Sequence, residues 1–375
     1  MTPRERYRET LSFGKPDRIP LVPGHPREST LAVWRQQGLP EGADYYDAML
    51  KVIGIEPEPK RPTASPGVSF QMIPKFEEKV LEHREGHYVV QDWMGAITEI
   101  SDRFDYTYIR SAKDFVTRKW HKFPVETRAD WEEMKRRFDP ETPGRFPEDF
   151  EARCGQLKDR DYVASIHLNG PFWQLREWLG MENLCIKMVE EPDFVEEMIA
   201  FWIAFVSRTM APILARVELD QVGFSEDMAY KAHSMISPAM TRRFLKPAYD
   251  RWVPEIRASG CPLIFMDSDG HVGELIPIWI ASGITFNGPV EVAAGNDIVE
   301  YRRVFGKKMG YTGGIDKRAI AKGGKVMEAE VMRVVPPLLK EGGFIPSCDH
   351  GVPPDISWPD YVAYARLLAQ LTGWL

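Results

Sequence analysis

From residue 160 onward the chain keeps one rhythm. Short β-branched or apolar runs are each followed by a longer stretch with apolar residues three and four apart. "YVASIHLNGP" precedes helical patterns over 171–180 and 182–215, and "DQVGFSEDMA" precedes "SPAMTRRFLKPAYDRWVPEIRASG". "PLIFMDSDG" leads to "HVGELIPIWIASG", "GITFNGPVEVAAG" to "NDIVEYRRVFG", "KMGYTGGIDK" to "KVMEAEVMRVVPPLLKEG", and "GFIPSCDHG" to "WPDYVAYARLLAQL". Strand-then-helix units in series predict a parallel sheet with helical crossovers. The N-terminal part is less regular. Thr2 as a cap, Pro3 in the first turn and apolar Tyr7, Leu11 and Phe13 predict a first helix ending at "GKPDR". "IPLVPG" (19–24) predicts a short strand. Residues 40–155 form an irregular insertion, with a hairpin over 87–100 around Asp92–Gly95 and helical, exposed sequence over 111–153.

Six units, "IPLVPG" and one strand from the middle region would supply eight strands. The expected architecture is therefore α/β, a (β/α)8 TIM-type barrel with N-terminal elaborations, as a single domain over 1–375. No GxGxxG follows the first strand, so a doubly wound dinucleotide fold has little support.

In a parallel barrel, residues just after each strand gather on one face. Those positions hold His25; His167 and Asn169; Glu226 and Asp227; Asp267 and Asp269; Asn287 and Glu291; Asp316; and Cys348, Asp349 and His350. Asp267 and Asp269 alternate in "FMDSDG", so strand geometry points both to one side, where they would share a proton or hold a metal. The competing reading of Asp269 is a helix cap before "HVGEL". Glu226 and Asp227 divide evenly between a site role and orienting the following loop. Asp316 reads as an N-cap and His271 as a residue of a first helical turn. Asp267, Asp269, Glu226 and His350 are the candidate catalytic groups. His25, His167, Asn169, Asn287, Glu291 and Trp93 are candidates for substrate binding. Asp267, Asp269 and Cys348 form a candidate metal set, zinc being the metal a thiol invites. Trp93, Trp173 and Phe172 would supply an apolar or cation-binding wall, although with eleven Trp residues any one is most often core.

Composition narrows the class of partner. A formal charge of −7 with 27% charged residues gives no basic stripe for nucleic acid. No apolar run of about 18 residues reads as a membrane span, and the charged N-terminus lacks a signal peptide's apolar core. A cytoplasmic enzyme is expected, with the oligomeric state left open, a homodimer included. The four cysteines are scattered without a CxxC pair, which is no disulfide framework. Cys185 and Cys261 sit in packing positions, and Cys348 alone lies among other reactive groups.

The segments "GKPDRIPL", "GPFWQLREWLGMENL", "EDMAYKAHSMISPAMTRRFLKPAY", "GGIDKRAI" and "GGFIPSCDHGVPPDISWPDY" resemble the uroporphyrinogen decarboxylase-like superfamily over most of the chain. The resemblance implies a (β/α)8 barrel and either of two chemistries. Cofactor-free uroporphyrinogen decarboxylases use arginines of an N-terminal Arg-Gln-Ala-Gly-Arg-Tyr motif. Here "HPREST" stands at that place and keeps only Arg27. Corrinoid-dependent methyltransferases of the superfamily move methyl groups between a small substrate, a cobalamin protein and a thiol. Some hold zinc through His-x-Cys-Gly and a later Cys. "DSDG" looks like the former, with Asp267 for the His and Asp269 for the Cys, and Cys348 looks like the latter. The resemblance thus implies a methyltransferase or demethylase with a small methyl donor or acceptor and a corrinoid (cobalamin) on a partner protein. The alternatives are a cofactor-free decarboxylase and a non-catalytic tetrapyrrole- or corrinoid-binding barrel.

Overall fold

The computed structural model describes residues 1–58, 64–106 and 117–375. Three helices open the chain: α1 (Pro3–Leu11), α2 (Glu28–Gln36) and α3 (Tyr45–Ile53). Thr2 and Glu5 close a reciprocal capping box on α1, with Pro3 in its first turn, as the sequence predicts. Strands β1 (Lys79–Arg84), β2 (His87–Gln91), β3 (Ile97–Ser101) and β4 (Arg118–Lys122) make an antiparallel meander in sequence order. The β2–β3 connection is the expected hairpin. Asp92 Oδ1 accepts from the amides of Met94 and Ala96, each at 3.0 Å, and Gly95 takes a left-handed φ of 89°. Helices α4 (Arg128–Lys135) and α5 (Phe150–Gln156) follow. The predicted helical stretch 111–153 is therefore partly strand, and its residues 111–116 lie outside the described ones.

The rest carries the parallel sheet. β5 (Ser165–Asn169) is followed by α6 (Pro171–Leu179), α7 (Met181–Glu190) and α8 (Pro192–Leu214); β6 (Gln221–Ser225) by α9 (Pro238–Met240), a π-helical turn (Thr241–Leu245) and α10 (Lys246–Ala258). β7 (Leu263–Asp267) leads to α11 (Ile276–Ala281), and β8 (Phe286–Gly288) to α12 (Ile298–Phe305). β9 (Gly310–Ile315) leads to α13 (Lys317–Lys322) and α14 (Gly324–Glu341), and β10 (Phe344–Cys348) to α15 (Trp358–Leu371). The sheet order is β10-β9-β8-β7-β6-β5, every neighbour parallel. The order never reverses, so there is no switch point of a doubly wound sheet.

The sheet has six strands, not the eight expected. "IPLVPG" runs extended beside β10 without becoming a strand. Pro20, Pro23 and Pro26 have no N–H to give, so few ladder bonds form. Cys348 N donates to Pro23 O (3.1 Å), Val352 N to His25 O (2.8 Å) and Arg27 N to Val352 O (3.1 Å). At the other edge, Ser165 N donates to Ala64 O (2.9 Å).

One side of each strand packs under the helices, as with Ile166, Leu168, Val222, Phe224, Ile264 and Met266. α8, by length and composition the one helix among the described residues able to cross a membrane, instead packs against α6, α7 and α10. Its Trp202 and Phe205 join Phe138 and Trp178 in a buried aromatic cluster with ring centroids 5.2–5.8 Å apart. The opposite side of the strands is split by depth. At the N-terminal end Leu11 of α1 packs with Leu263, Phe286 and Ile345, and Tyr7 hydrogen-bonds Gln221 through its hydroxyl. That end is plugged, so the inner face opens at the strands' C-terminal ends.

Candidate functional site

Register brings the site together. Asn169, Ser225, Asp267 and Gly288 are successive partners across β5 to β8, so the side chains of Asn169, Ser225 and Asp267 form one row at the C-terminal end. A cavity of about 510 Å³ opens there, lined by His25, Trp173, Asp227, Asp267, Asp269, Cys348 and His350 among others. The alternation in "FMDSDG" holds: Phe265, Asp267 and Asp269 all line it.

Two hydrogen-bonded sets face each other across this space. In the first, Ser225 Oγ donates to Asp267 Oδ2 (2.9 Å) and lies 2.6 Å from His167 Nε2. Ser225 has one proton and gives it to the carboxylate, so Nε2–H of His167 must donate to Ser225. Gly223 makes room for that ring, since a Cβ there would lie 2.2 Å from His167 Nδ1. Burial holds His167 below its ordinary pKa and neutral. Burial also lifts Asp267 to about 6; Ser225 opposes this, and the Asp269 and Asp227 charges add to it. In the second set, His350 Nε2 donates to Asp269 Oδ2 (3.1 Å). That bond raises the His350 pKa against the opposing effect of burial. Asp269 therefore caps no helix, since the next helix begins at Ile276. His271 likewise lies in a loop, its Nδ1 beside Ala294 O (3.1 Å). His25 stands at the rim with Nδ1 2.7 Å from the Tyr45 hydroxyl.

The neighbours Glu226 and Asp227 separate. Asp227 adopts a left-handed φ of 41°, strained for a residue with a side chain, and its carboxylate turns into the cavity. Arg176 holds it there, donating to its carbonyl (2.9 Å) and to Oδ2 (3.0 Å). Glu226 goes the other way and is wholly buried. It accepts from the amides of Phe172 (2.9 Å) and Trp173 (3.2 Å) at the start of α6 and from the Tyr249 hydroxyl. Burial pushes its pKa up to about 7 against those bonds. The expected catalytic Glu226 is thus corrected to an anchor for α6, because no solvent or substrate reaches it.

Asn287, expected to bind substrate, is also buried, with Nδ2 donating to Met266 O (3.0 Å). Glu291 faces a neighbouring shallow cleft that shares Asp269 and accepts from Lys317 Nζ (3.0 Å). Asp316 caps α13 as predicted. Asp349 is buried, accepting from the amides of Val292 (2.8 Å) and Lys317 (3.0 Å). His167, Asn169 and Trp93 line a second cavity of about 460 Å³, which shares Trp173 with the first.

The three residues of the candidate metal set are not gathered into one metal-holding group. Cys348 is 3% exposed, and burial pushes its thiol up to about 12. Asp269 is engaged by His350. Among the described residues no three His, Cys, Asp or Glu side chains sit in a metal-holding group.

Sequence reasoning missed Ser225 and Glu177. Glu177 lies in the second cavity and accepts from Trp173 Nε1 (2.8 Å), Gln174 Nε2 (3.3 Å) and Asn169 Nδ2 (3.3 Å). Its signal was present as the fourth residue after Trp173 on one helical face. Nothing local marked Ser225.

No protein-family model matches the sequence, and no curated protein matches it. Among solved structures the chain is similar to a methyltransferase from Methanosarcina mazei, with a TM-score of 0.55 and 14% identity over 98% of both chains. It is also similar to a candidate vitamin-B12-independent methionine synthase from Listeria monocytogenes, with a TM-score of 0.39 and 10% identity over 94% of this chain and 95% of that one. The first likeness is one of fold, and the second is too distant to carry an argument.

Proposed function

We propose that the chain is a cytoplasmic methyltransferase or demethylase whose cavity at the strand C-termini takes a small methylated substrate. In this reading residues 1–375 are one barrel unit, and the extended segments beside β10 and β5 take the two remaining strand places. The observation that carries the reading is an imidazole and a carboxylate on one cavity, both with raised pKa values: His350 through its bond to Asp269, and Asp267 to about 6 through burial. Titratable groups with shifted pKa values on one cavity suit acid–base work. The fold likeness to a methyltransferase supports the same class.

A methyl group leaves an ether or amine when its bond breaks and the electron pair stays on the heteroatom. His350 delivers the proton to that atom, and Asp269 steadies the imidazolium until it does. Asp267, oriented by Ser225 and His167, holds a polar hydrogen of the substrate. Trp173 and Phe265 exclude water from one wall. A corrinoid, when presented, supplies a cobalt nucleophile for methyl groups. A cavity of about 510 Å³ suits a small molecule, so the corrinoid belongs on a partner protein at the mouth. No Lys or Arg lines this cavity among the described residues, which does not favour a substrate with many carboxylates.

The test is to incubate the purified chain with reduced cobalamin and a panel of small methyl ethers and methylamines, following methylcobalamin by its absorption. Turnover with a subset, lost in Asp267→Asn and His350→Gln, is expected. No turnover with any of them, together with decarboxylation of uroporphyrinogen, would overturn the reading.

A further inference from the structure

The second cavity has a different chemistry from the first. Phe70, Phe138, Trp202, Trp93 and Trp173 supply its rings. Trp93 reaches it from the Asp92–Gly95 turn, where Trp93 O accepts from Phe76 N (3.0 Å) and fixes the loop. Among the described residues the one acidic side chain lining it is Glu177, its carboxyl held by the Trp173 indole and the Asn169 and Gln174 amides. These donors fix the carboxyl without neutralising it. Cationic groups close by include two on the tryptophans, Lys75 Nζ 4.5 Å from the Trp93 ring centroid and Arg176 Cζ 4.6 Å from that of Trp173, and the buried Arg145, which donates to the lining carbonyls of Ser69 (2.8 Å) and Gln71 (2.9 Å). Arg176 is already paired with Asp227 (3.0 Å). Both indoles thus attract cations within this molecule.

We infer that this second cavity is a recognition subsite for the organic-cation end of the substrate, an alkylated ammonium group seated between the Trp93 and Trp173 indoles and the Glu177 carboxyl. The inference deepens the methyl-transfer reading and rests on it for what lies next door. Aromatic faces and one carboxylate are the groups that recognise such cations, through the ring quadrupole and through charge. The proton donor His350 and the carboxylate Asp267 line the other cavity, across Trp173. The ammonium end is therefore a handle, and the reacting heteroatom lies in the first cavity. Burial raises the Glu177 pKa, and an arriving cation favours the ionised carboxylate.

Calorimetry with the full chain tests this, using choline, its neutral carbon isostere 3,3-dimethylbutan-1-ol, and propionate. Choline is expected to bind at least tenfold more tightly than the isostere, and propionate not at all. Glu177→Gln should weaken choline about tenfold and leave the isostere unchanged, since an amide keeps the shape but not the charge. Trp93→Leu should weaken choline and preserve the melting temperature, because Trp93 is only partly buried. Equal affinity for choline and the isostere, tighter binding of propionate, or indifference of choline to Glu177→Gln would overturn the inference. The two readings fail separately. Charge-selective binding without methyl transfer from any donor sinks the catalytic proposal alone. Methyl transfer from neutral ethers with no preference for the cation sinks the subsite alone.

Discussion

Asp220 and Asp267 stand at opposite ends of the parallel sheet and illustrate opposite uses of a carboxylate. Asp220, just before β6, is enclosed by cations. Arg160 Nη2 lies 2.7 Å from Oδ2, Arg4 Nε 2.7 Å from Oδ1, and the Ala164 amide donates at 2.8 Å. Asp267, at the end of β7, has a serine, two further carboxylates and a neutral imidazole around it. The N-terminal end satisfies its charges to fasten α1 beneath the sheet. The C-terminal end leaves its charges under-compensated, which keeps a proton within reach of neutral pH. Charge compensation and under-compensated carboxylates are thus separated along the strand axis of the parallel sheet.

The largest effects should separate the two ends cleanly. Asp220→Ala strands Arg160 in the interior and should cost about 3–5 kcal/mol, seen as a collapse of the melting temperature. Asp267→Asn should shift the melting temperature little and never downward, and lower kcat by roughly 10²- to 10⁴-fold. If both substitutions act on stability alone, the contrast is wrong.

Glu226 tests whether a carboxylate near the C-terminal end must be functional. Glu226→Ala removes the partner of two amides and a phenol and should cost about 2–4 kcal/mol, whereas Glu226→Gln should retain most of the fold and the activity. With its pKa raised to about 7 by burial, the folded protein holds this proton more tightly than the unfolded chain does. Its contribution is full below the unfolded carboxyl pKa and is lost as pH rises through about 7. Thermal melts should therefore show Glu226→Gln gaining on the parent between pH 5 and 8, about those limits. A constant gap would contradict this.

The pH profile sharpens the acid–base assignment. kcat/KM should rise through about pH 6 as Asp267 ionises and fall again as His350 loses its proton, above the free-imidazole value. Asp269→Asn removes the charge that raises His350 and should draw the falling limb toward lower pH. An unmoved limb would take His350 out of the proposed role.

The smallest effect is on stability at the active end. Asp267 has its pKa raised by burial, so its ionised form weakens the fold above about pH 6. Asp267 is partly exposed, and screening reduces the gain from Asp267→Asn to about 1 kcal/mol at pH 8, fading to nothing below about pH 3, where the carboxyl is protonated in both states. A loss at pH 8 would show that the carboxylate supports the fold.

Much of this arrangement was legible beforehand because its causes are local. The 2- and 3.6-residue periods marked the βα units, and the Thr2 cap, the Asp316 cap and the Asp92–Gly95 turn follow from side-chain hydrogen bonds within a few residues. The missing strand at 19–24 traces to the spacing of Pro20, Pro23 and Pro26, which keeps an extended chain from joining a ladder. Asp267, Asp269, His25 and His350 were found because inward alternation and strand-end position are one-dimensional properties.

What the chain could not declare alone were relations across strands. Whether Glu226 or Asp227 faces the cavity turns on a left-handed backbone at Asp227, held by Arg176 from another helix. Whether Cys348 is a ligand or an inert thiol turns on the N-terminal segment laid over it. Ser225 became part of a relay because parallel register sets it beside both His167 and Asp267. The sequence by itself determined the α/β rhythm and which end of the strands would carry polar groups, since both follow from periodicity and local hydrogen bonding. Tertiary structure alone decided which of those groups meet and which are protonated, because register and burial arise only when distant segments pack.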